Sequence, residues 1–230
     1  MSGDADRSGR AAVEEAAARL SVLGSAVERD VPLGPMTTYR VGGTAALFVR
    51  VSDRLMLPAV ADAARASGLP VLVVGRGSNL LVADSGFAGL AIGLSDLEEV
   101  IELDTEHAIA RASAGVALPV LARKTAAAGL AGFEWAVGVP GSVGGAVRMN
   151  AGGHGSDMAA SLTNAVVFDL VAGAERTLGV DELGLGFRSS ELAEHQLVLD
   201  ATLQLHHGDA EVSGRLISEI VAWRRTNQPG

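Results

Sequence analysis

Val139-Pro140-Gly141-Ser142-Val143-Gly144-Gly145-Ala146-Val147, running on into Asn150-Ala151-Gly152-Gly153-His154-Gly155, is the stretch whose reading decides how this chain folds. Glycine admits backbone with positive φ and lets another group approach without meeting a Cβ. A second glycine loop, Gly75-Arg76-Gly77-Ser78-Asn79, follows directly on the apolar run Val71-Leu72-Val73-Val74. Two such loops beside apolar runs point to one extended anionic ligand held by peptide N–H groups. Spacing narrows the choice. Gly75-x-Gly77-x-x-Leu80 lacks the third glycine of the Rossmann fingerprint, and Leu80-Leu81-Val82 is expected to continue as strand rather than to open a helix. Neither loop runs into Lys-Ser or Lys-Thr, which excludes a P-loop. A dinucleotide cradle of another type remains. Taken singly, each loop also has a plainer reading as a tight turn or a close-packing spot.

Working outward, Ala46 to Asn79 reads as strand, helix, strand and glycine loop. Asp53 can cap the helix, Pro58 fits its first turn, and Gly68 ends it after Ser67. Phe87 to Ile92 is a further strand, and upstream Ala11 to Leu23 is an amphipathic helix stopped by Gly24. Downstream, Val100 to Leu103 and Ala108 to Ala112 form a hairpin around Asp104-Thr105-Glu106. Leu118 to Ala128 is a helix closed by Gly129, and Ala165 to Leu170 and Leu197 to Leu205 are strands. Val212 to Arg225 is a final helix with Arg224 and Arg225 in its last turn, where cations suit the helix dipole. This pattern predicts an α+β class: a helical segment over 1–30, one lobe over 31–96, a second over 97–209, and a helix over 210–230. The chain stops at Gln228-Pro229-Gly230, a turn sequence with nothing behind it. The expectation is of a truncated chain whose C-terminal domain is missing.

Bulk composition sets limits on function. Of the 230 residues 48% are hydrophobic but only 3% aromatic, so the core must be built mostly of Ala, Val and Leu. A net charge of −9 argues against a nucleic-acid or anionic-membrane partner, and it leaves any anionic ligand to local dipoles and a few placed arginines. The absence of cysteine excludes disulfides, thiolate metal sites and cysteine nucleophiles. The five histidines show no ligand spacing, so no metal site is expected. Met1 to Arg10 carries no apolar core of a signal peptide and no run is long enough to span a membrane, which predicts a soluble, cytoplasmic protein.

Four motifs occur in order: Thr37-Thr38-Tyr39-Arg40-Val41-Gly42-Gly43; Gly75 to Leu81; Pro140 to Gly145 with Asn150-Ala151-Gly152; and Phe187-Arg188-Ser189-Ser190. Together they closely resemble the bacterial UDP-N-acetylenolpyruvoylglucosamine reductase family over roughly Val31 to Gly230. The resemblance implies a two-lobed FAD-binding module of the vanillyl-alcohol-oxidase (PCMH) type, with noncovalent FAD, NADPH as reductant and a UDP-sugar substrate. It implies hydride delivery to an enolpyruvyl double bond in peptidoglycan synthesis; a monomer is expected. By the same resemblance Gly75, Arg76, Gly77, Ser78, Asn79 and Leu80 hold the FAD diphosphate, with Tyr39 beside them. Val139, Pro140, Gly141, Ser142, Gly144, Gly145, Asn150, Gly152 and His154 fall along the flavin-facing wall. Arg188 takes the place of the catalytic arginine on the substrate carboxylate, Ser189 lies beside it, and Arg224 falls near the substrate phosphates.

The chemistry asked of Arg188 makes sense by itself. Hydride addition to an α,β-unsaturated acid builds enolate charge on the carboxylate, and a bidentate guanidinium meets that charge best in the transition state. The chain departs from the family pattern at Phe187, where tyrosine is usual, at Gly153-His154, where Ala-Tyr is frequent, and at Asn227, near which a cation is frequent. The serine proton donor and an acidic partner of Arg188 are expected beyond Gly230, so this chain alone is expected to be inactive. Two alternatives stay open: a nucleotide-binding scaffold without catalysis, and an FAD-dependent oxidase on the same module.

Overall fold

The computed structural model describes residues 2–228, so the turn expected at Pro229-Gly230 lies outside the described residues. The chain divides into two compact units. The first comprises Met1–Glu98, Phe168–Arg176 and Ala193–Leu197, the second Glu99–Val167, Thr177–Leu192 and Val198–Gly230.

The first unit opens with α1 (Ser2–Leu20), which reaches further upstream than its apolar spacing indicates. Gly24, at φ +57°, breaks the short 3-10 segment that follows. Next come β1 (Val27–Pro32), β2 (Thr44–Arg50), α2 (Leu57–Ser67), β3 (Val71–Val74) and β4 (Phe87–Gly93). They form a four-stranded sheet of order β1-β2-β4-β3, in which only the β1–β2 pairing is antiparallel. The start of α2 follows from chemistry legible in the chain: Asp53 Oδ1 accepts the Leu55 N–H at 2.8 Å, and Gly68 at φ +63° ends the helix. Leu47, Phe48, Leu57, Val60, Leu90 and Ile92 close the core.

β1 has no counterpart in the sequence reading, because Glu28-Arg29-Asp30 looks like surface loop. It lies at the sheet edge, where those charges face outward: Arg50 Nε donates to Glu28 at 2.9 Å and Arg29 Nη1 to Glu14 at 2.8 Å. Leu80-Leu81-Val82 is the opposite case. The expected strand is irregular backbone, because this segment is engaged elsewhere: Gly43 N–H donates to the Ala83 carbonyl at 2.9 Å, and Gly42 lies against Val82.

The second unit contains β5 (Ile101–Asp104), β6 (Ile109–Ser113), α3 (Leu118–Ala127), β7 (Leu130–Ala131) and α4 (Val143–Met149). It continues with β8 (Gly152–Gly153), β9 (Ser156–Asp157), β10 (Leu162–Asp169), β11 (Ala174–Gly179) and α5 (Val180–Leu183), although Phe168–Asp169 of β10, Ala174–Arg176 of β11 and the first two residues of the strand at 196–204 count with the first unit. It ends with β12 (Gln196–Gln204), β13 (His206–His207) and α6 (Ala210–Asn227). The main sheet runs β11-β10-β12-β6-β5. The hairpin expected around Asp104 is the β5–β6 turn, where Asp104 Oδ1 accepts the N–H groups of Glu106 and His107. β12 is central, so Val198 is buried on one face as firmly as Leu197, Leu199, Ala201 and Leu203 are on the other.

Phe133, Trp135, Leu118, Leu121 and Met158 join Ile217 and Ile220 of α6 in one apolar cluster. Glu134 is buried among them, with Oε1 accepting from Ser213 Oγ at 2.5 Å and Oε2 from Gly132 N–H at 2.8 Å. A buried carboxylate is tolerable only with its acceptors filled, and here it pins α6 by its first turn. No described helix is long and apolar enough to cross a membrane.

Candidate functional site

In the first unit the Gly75 loop lies against the Thr37 motif. Thr38 N–H donates to the Gly77 carbonyl at 3.2 Å, and Gly77 sits at φ +64° with its backbone pressed on Met36. A Cβ at Gly77 would stand 1.9 Å from the Met36 carbonyl oxygen. Thr37 is buried and folds its hydroxyl back onto the Gly34 carbonyl at 3.0 Å while accepting Arg40 N–H at 3.1 Å. Two motifs whose starts, Thr37 and Gly75, lie 38 positions apart are therefore one piece of backbone scaffold. The scaffold leaves Gly75, Arg76 and Asn79 exposed, half-buries Ser78 and Leu80, and sets exposed Tyr39, Val41 and Leu81 on the same pair of segments. Exposed peptide groups flanked by apolar side chains can hold a phosphate and the hydrocarbon next to it.

In the second unit Ser142 caps α4, its hydroxyl accepting Gly145 N–H at 3.4 Å. Val143 N–H is used by the Val116 carbonyl and Gly144 N–H by the Ala114 carbonyl, both at 2.9 Å, and Leu118 N–H donates to the Gly141 carbonyl. What Gly144 supplies is close packing: a Cβ there would lie 2.7 Å from that of Ala114. Gly145 differs, being exposed, with only Ser142 Oγ within 4 Å of a Cβ position. Val139 is half-buried and Pro140 exposed at the mouth of the turn. Gly152 and Gly153 pair with Asp157 and Ser156, and the two loop residues, His154 at φ +53° and Gly155 at φ +87°, make the left-handed turn such a hairpin needs. Beneath this stretch, Trp135 Nε1 is buried without a hydrogen-bond partner.

Asn150 is buried, at φ +38°, where it ends α4. Its Nδ2 donates to the Gly186 carbonyl at 3.0 Å and to Asp157 Oδ2 at 3.2 Å, and its Oδ1 accepts Ala159 N–H at 2.9 Å. These bonds engage both ends of the side-chain amide with protein groups. Gly186 and Ser189 close a tight turn by mutual backbone hydrogen bonds, with Phe187 93% exposed and Arg188 at φ +54° between them. A left-handed arginine is uncommon, and such conformations collect at functional sites. The guanidinium lies 6.0 Å from the Phe187 ring, too long for strong attraction, and is exposed. Ser189 is exposed beside it, and Ser190 Oγ donates to the Arg148 carbonyl at 2.7 Å.

His154 meets Trp223 of α6 edge to face, with ring centroids 5.1 Å apart, and its ring covers Gly138. Trp223 is followed by Arg224, whose Nε donates to Gln228 at 2.8 Å. The structure thus groups Tyr39 with Gly75 to Leu80 in one unit. In the other it groups Val139 to Gly145, Asn150 to His154, Arg188 and Ser189, with Arg224 next to the partner of His154. Sequence reading missed Arg148, Asp157 and Trp223 as neighbours of these residues. Only Trp223, a large aromatic on the polar side of an amphipathic helix, gave a signal.

A family model described as an FAD binding domain matches residues 45–175, which include both glycine stretches. The UDP-N-acetylenolpyruvoylglucosamine reductases of Synechococcus sp. strain RCC307 and Rubrobacter xylanophilus are 43% and 40% identical, over 88% and 91% of this chain and 67% and 70% of theirs. The chain belongs to the UDP-N-acetylenolpyruvoylglucosamine reductase family. The crystal structure of UDP-N-acetylenolpyruvylglucosamine reductase from Thermus caldophilus agrees, at a TM-score of 0.72 and 36% identity over 89% of this chain and 71% of that one. A Bermuda grass isoallergen structure, at TM-score 0.56 and 16% identity, shares the fold alone. The chain spans about two thirds of the length of the curated reductases it matches, at 67%, 66% and 70% for three of them. The expected α+β class and FAD-binding module hold for this reductase-family chain.

Proposed function

We propose that the full-length protein carrying this chain uses NADPH and noncovalent FAD to reduce the enolpyruvyl double bond of UDP-N-acetylenolpyruvoylglucosamine, yielding UDP-N-acetylmuramate for cell-wall synthesis in the cytoplasm. One observation carries the catalytic part of this reading: an exposed arginine held in left-handed backbone at the tip of a turn fastened to the glycine-stretch helix.

The residues present suit FAD. Gly75, Arg76 and Asn79 with Tyr39 offer exposed backbone and apolar contact, while Gly145 and Gly155 border open space that no Cβ occupies. When bound, FAD supplies the hydride. Arg188 then binds the substrate carboxylate as a planar two-pronged donor, fixing the double bond and drawing off the charge that develops on it. Arg224 and Ser189 add contacts to the rest of the substrate. Against a net charge of −9, these placed cations supply local attraction for an anionic UDP-sugar.

The test is kinetic. Full-length protein should purify with flavin and oxidise NADPH only when the UDP substrate is present. Arg188→Ala should lower turnover by about 10²–10³-fold with flavin still bound, the scale of losing one transition-state donor. Colourless native protein, or rapid NADPH oxidation without substrate, overturns the proposal. Oxygen consumption without NADPH would favour an oxidase instead.

A further inference from the structure

We infer that Asn150 is a positioning residue that acts through Arg188: its buried amide sets the turn presenting the guanidinium, and its place in the glycine stretch reflects that task rather than contact with a cofactor. The inference rests on the proposed role of Arg188. α4 is fastened to the segment around Arg188 at three points. Ser190 Oγ donates to the Arg148 carbonyl at 2.7 Å, Arg148 Nη1 donates to the Leu192 carbonyl, and Asn150 Nδ2 donates to the Gly186 carbonyl at 3.0 Å.

The first two anchor residues beyond the turn. The third falls inside it, on the carbonyl that also accepts Ser189 N–H at 3.3 Å. Gly186 and Ser189 flank Phe187 and Arg188, both exposed, so the orientation of Gly186 decides where the guanidinium points. Asn150 is in turn held at its other end, because Oδ1 accepts Ala159 N–H and Nδ2 also reaches Asp157. An amide filled on both sides is a rigid strut. Asparagine also suits the position by tolerating φ +38°, which most side chains resist.

The experiment uses full-length, FAD-loaded protein with Asn150→Gly, which keeps the left-handed backbone unstrained and removes only the side chain. Stopped-flow should show NADPH reducing the flavin at a rate within about threefold of normal, while reoxidation by the UDP substrate slows about 10- to 100-fold, the scale of a misplacement near 1 Å. Hydrogen exchange at residues 186–189 should quicken while β12 amides stay protected. In an Arg188→Ala background the same change should add no further loss, since both act on one interaction. Asn150→Asp combined with Asp157→Asn, which keeps the acceptor for Ala159, avoids two facing carboxylates and loses the donor to Gly186, should reproduce the effect if the glycine variant folds poorly.

Normal reoxidation with unchanged exchange at 186–189 overturns the inference, as does a loss that adds to that of Arg188→Ala. If Arg188→Ala itself reoxidises at the normal rate, the functional reading falls and this inference with it. That failure is distinguishable, because it shows in the arginine variant alone.

Discussion

Gly77 and Gly68 offer a matched pair for the interlocked loops of the first unit. Their backbones are nearly the same, at φ +64° and φ +63°, but a Cβ at Gly68 meets nothing within 4 Å. At Gly77 it would lie 1.9 Å from the Met36 carbonyl oxygen, against at least 3.4 Å for an ordinary contact, so backbone must move by about 1.5 Å. Gly68→Ala should cost only the left-handed penalty, about 1–2 kcal/mol. Gly77→Ala should cost that and the overlap with backbone that is itself hydrogen-bonded, a total above about 4 kcal/mol. With a urea m-value of about 2 kcal/mol/M, the midpoints should fall by roughly 0.5–1 M and about 2 M. Circular dichroism is the proper readout, because both tryptophans, Trp135 and Trp223, belong to the second unit. Gly77→Ala should also lose flavin on gel filtration while Gly68→Ala keeps it. Equal destabilisation, within about 0.5 kcal/mol, would refute the argument from close approach.

Three further outcomes are expected. Glu134→Ala strands the Ser213 hydroxyl and Gly132 N–H and should destabilise by about 2–4 kcal/mol, and a double-mutant cycle with Ser213→Ala should give a coupling of about 1.5–3 kcal/mol; additivity would remove the strut from α6. Burial alone would raise the Asp169 carboxyl, but hydrogen bonds from Ala172 N–H, the Gln196 amide and Val171 N–H, with His195 nearby, bring it below the ordinary carboxylate value. Its contribution is therefore complete above the unfolded value, near pH 4, and lost as pH falls through the lower folded one. Asp169→Asn should lower stability at pH 7 and flatten the acid limb of a stability–pH curve; an unchanged limb counts against it. His154→Ala should cost about 0.5–1.5 kcal/mol and shift the Trp223 emission, and unaltered emission would mean the ring contact is not maintained in solution.

Where the sequence was legible, the cause was local. Asp53, Pro58 and Gly68 bracket α2, Asp104 makes the β5–β6 turn, and alternating leucines mark β12, because caps, turns and periodicity act over a few residues. The glycine stretches were legible as close-approach backbone, but not what approaches. At Gly144 and Gly77 the neighbour is protein, Ala114 and Met36, and no spacing rule announces a partner 30 to 41 residues away. Leu80-Leu81-Val82 failed for the same reason: an apolar run can pack beneath a distant loop as readily as join a ladder. β1 was hidden because it buries only Val31 fully and leaves the consecutive Glu28, Arg29 and Asp30 exposed, so no apolar alternation marks it. The site residues are legible only as an ordered set of motifs, and nothing in the chain announces that Gly186, 36 positions on, receives the Asn150 amide.

The seven-residue length of α4 carries a constraint of angular phase. Each residue of an α-helix turns the chain through about 100° and advances it about 1.5 Å. One residue inserted between Ser142 and Asn150 would swing the amide a quarter-turn and more away from Gly186, with no change of chemical identity anywhere. Length alone would then uncouple the glycine stretch from the arginine, so this short helix serves as a timing gear between them, and its tooth count matters more than the side chains along its outer surface.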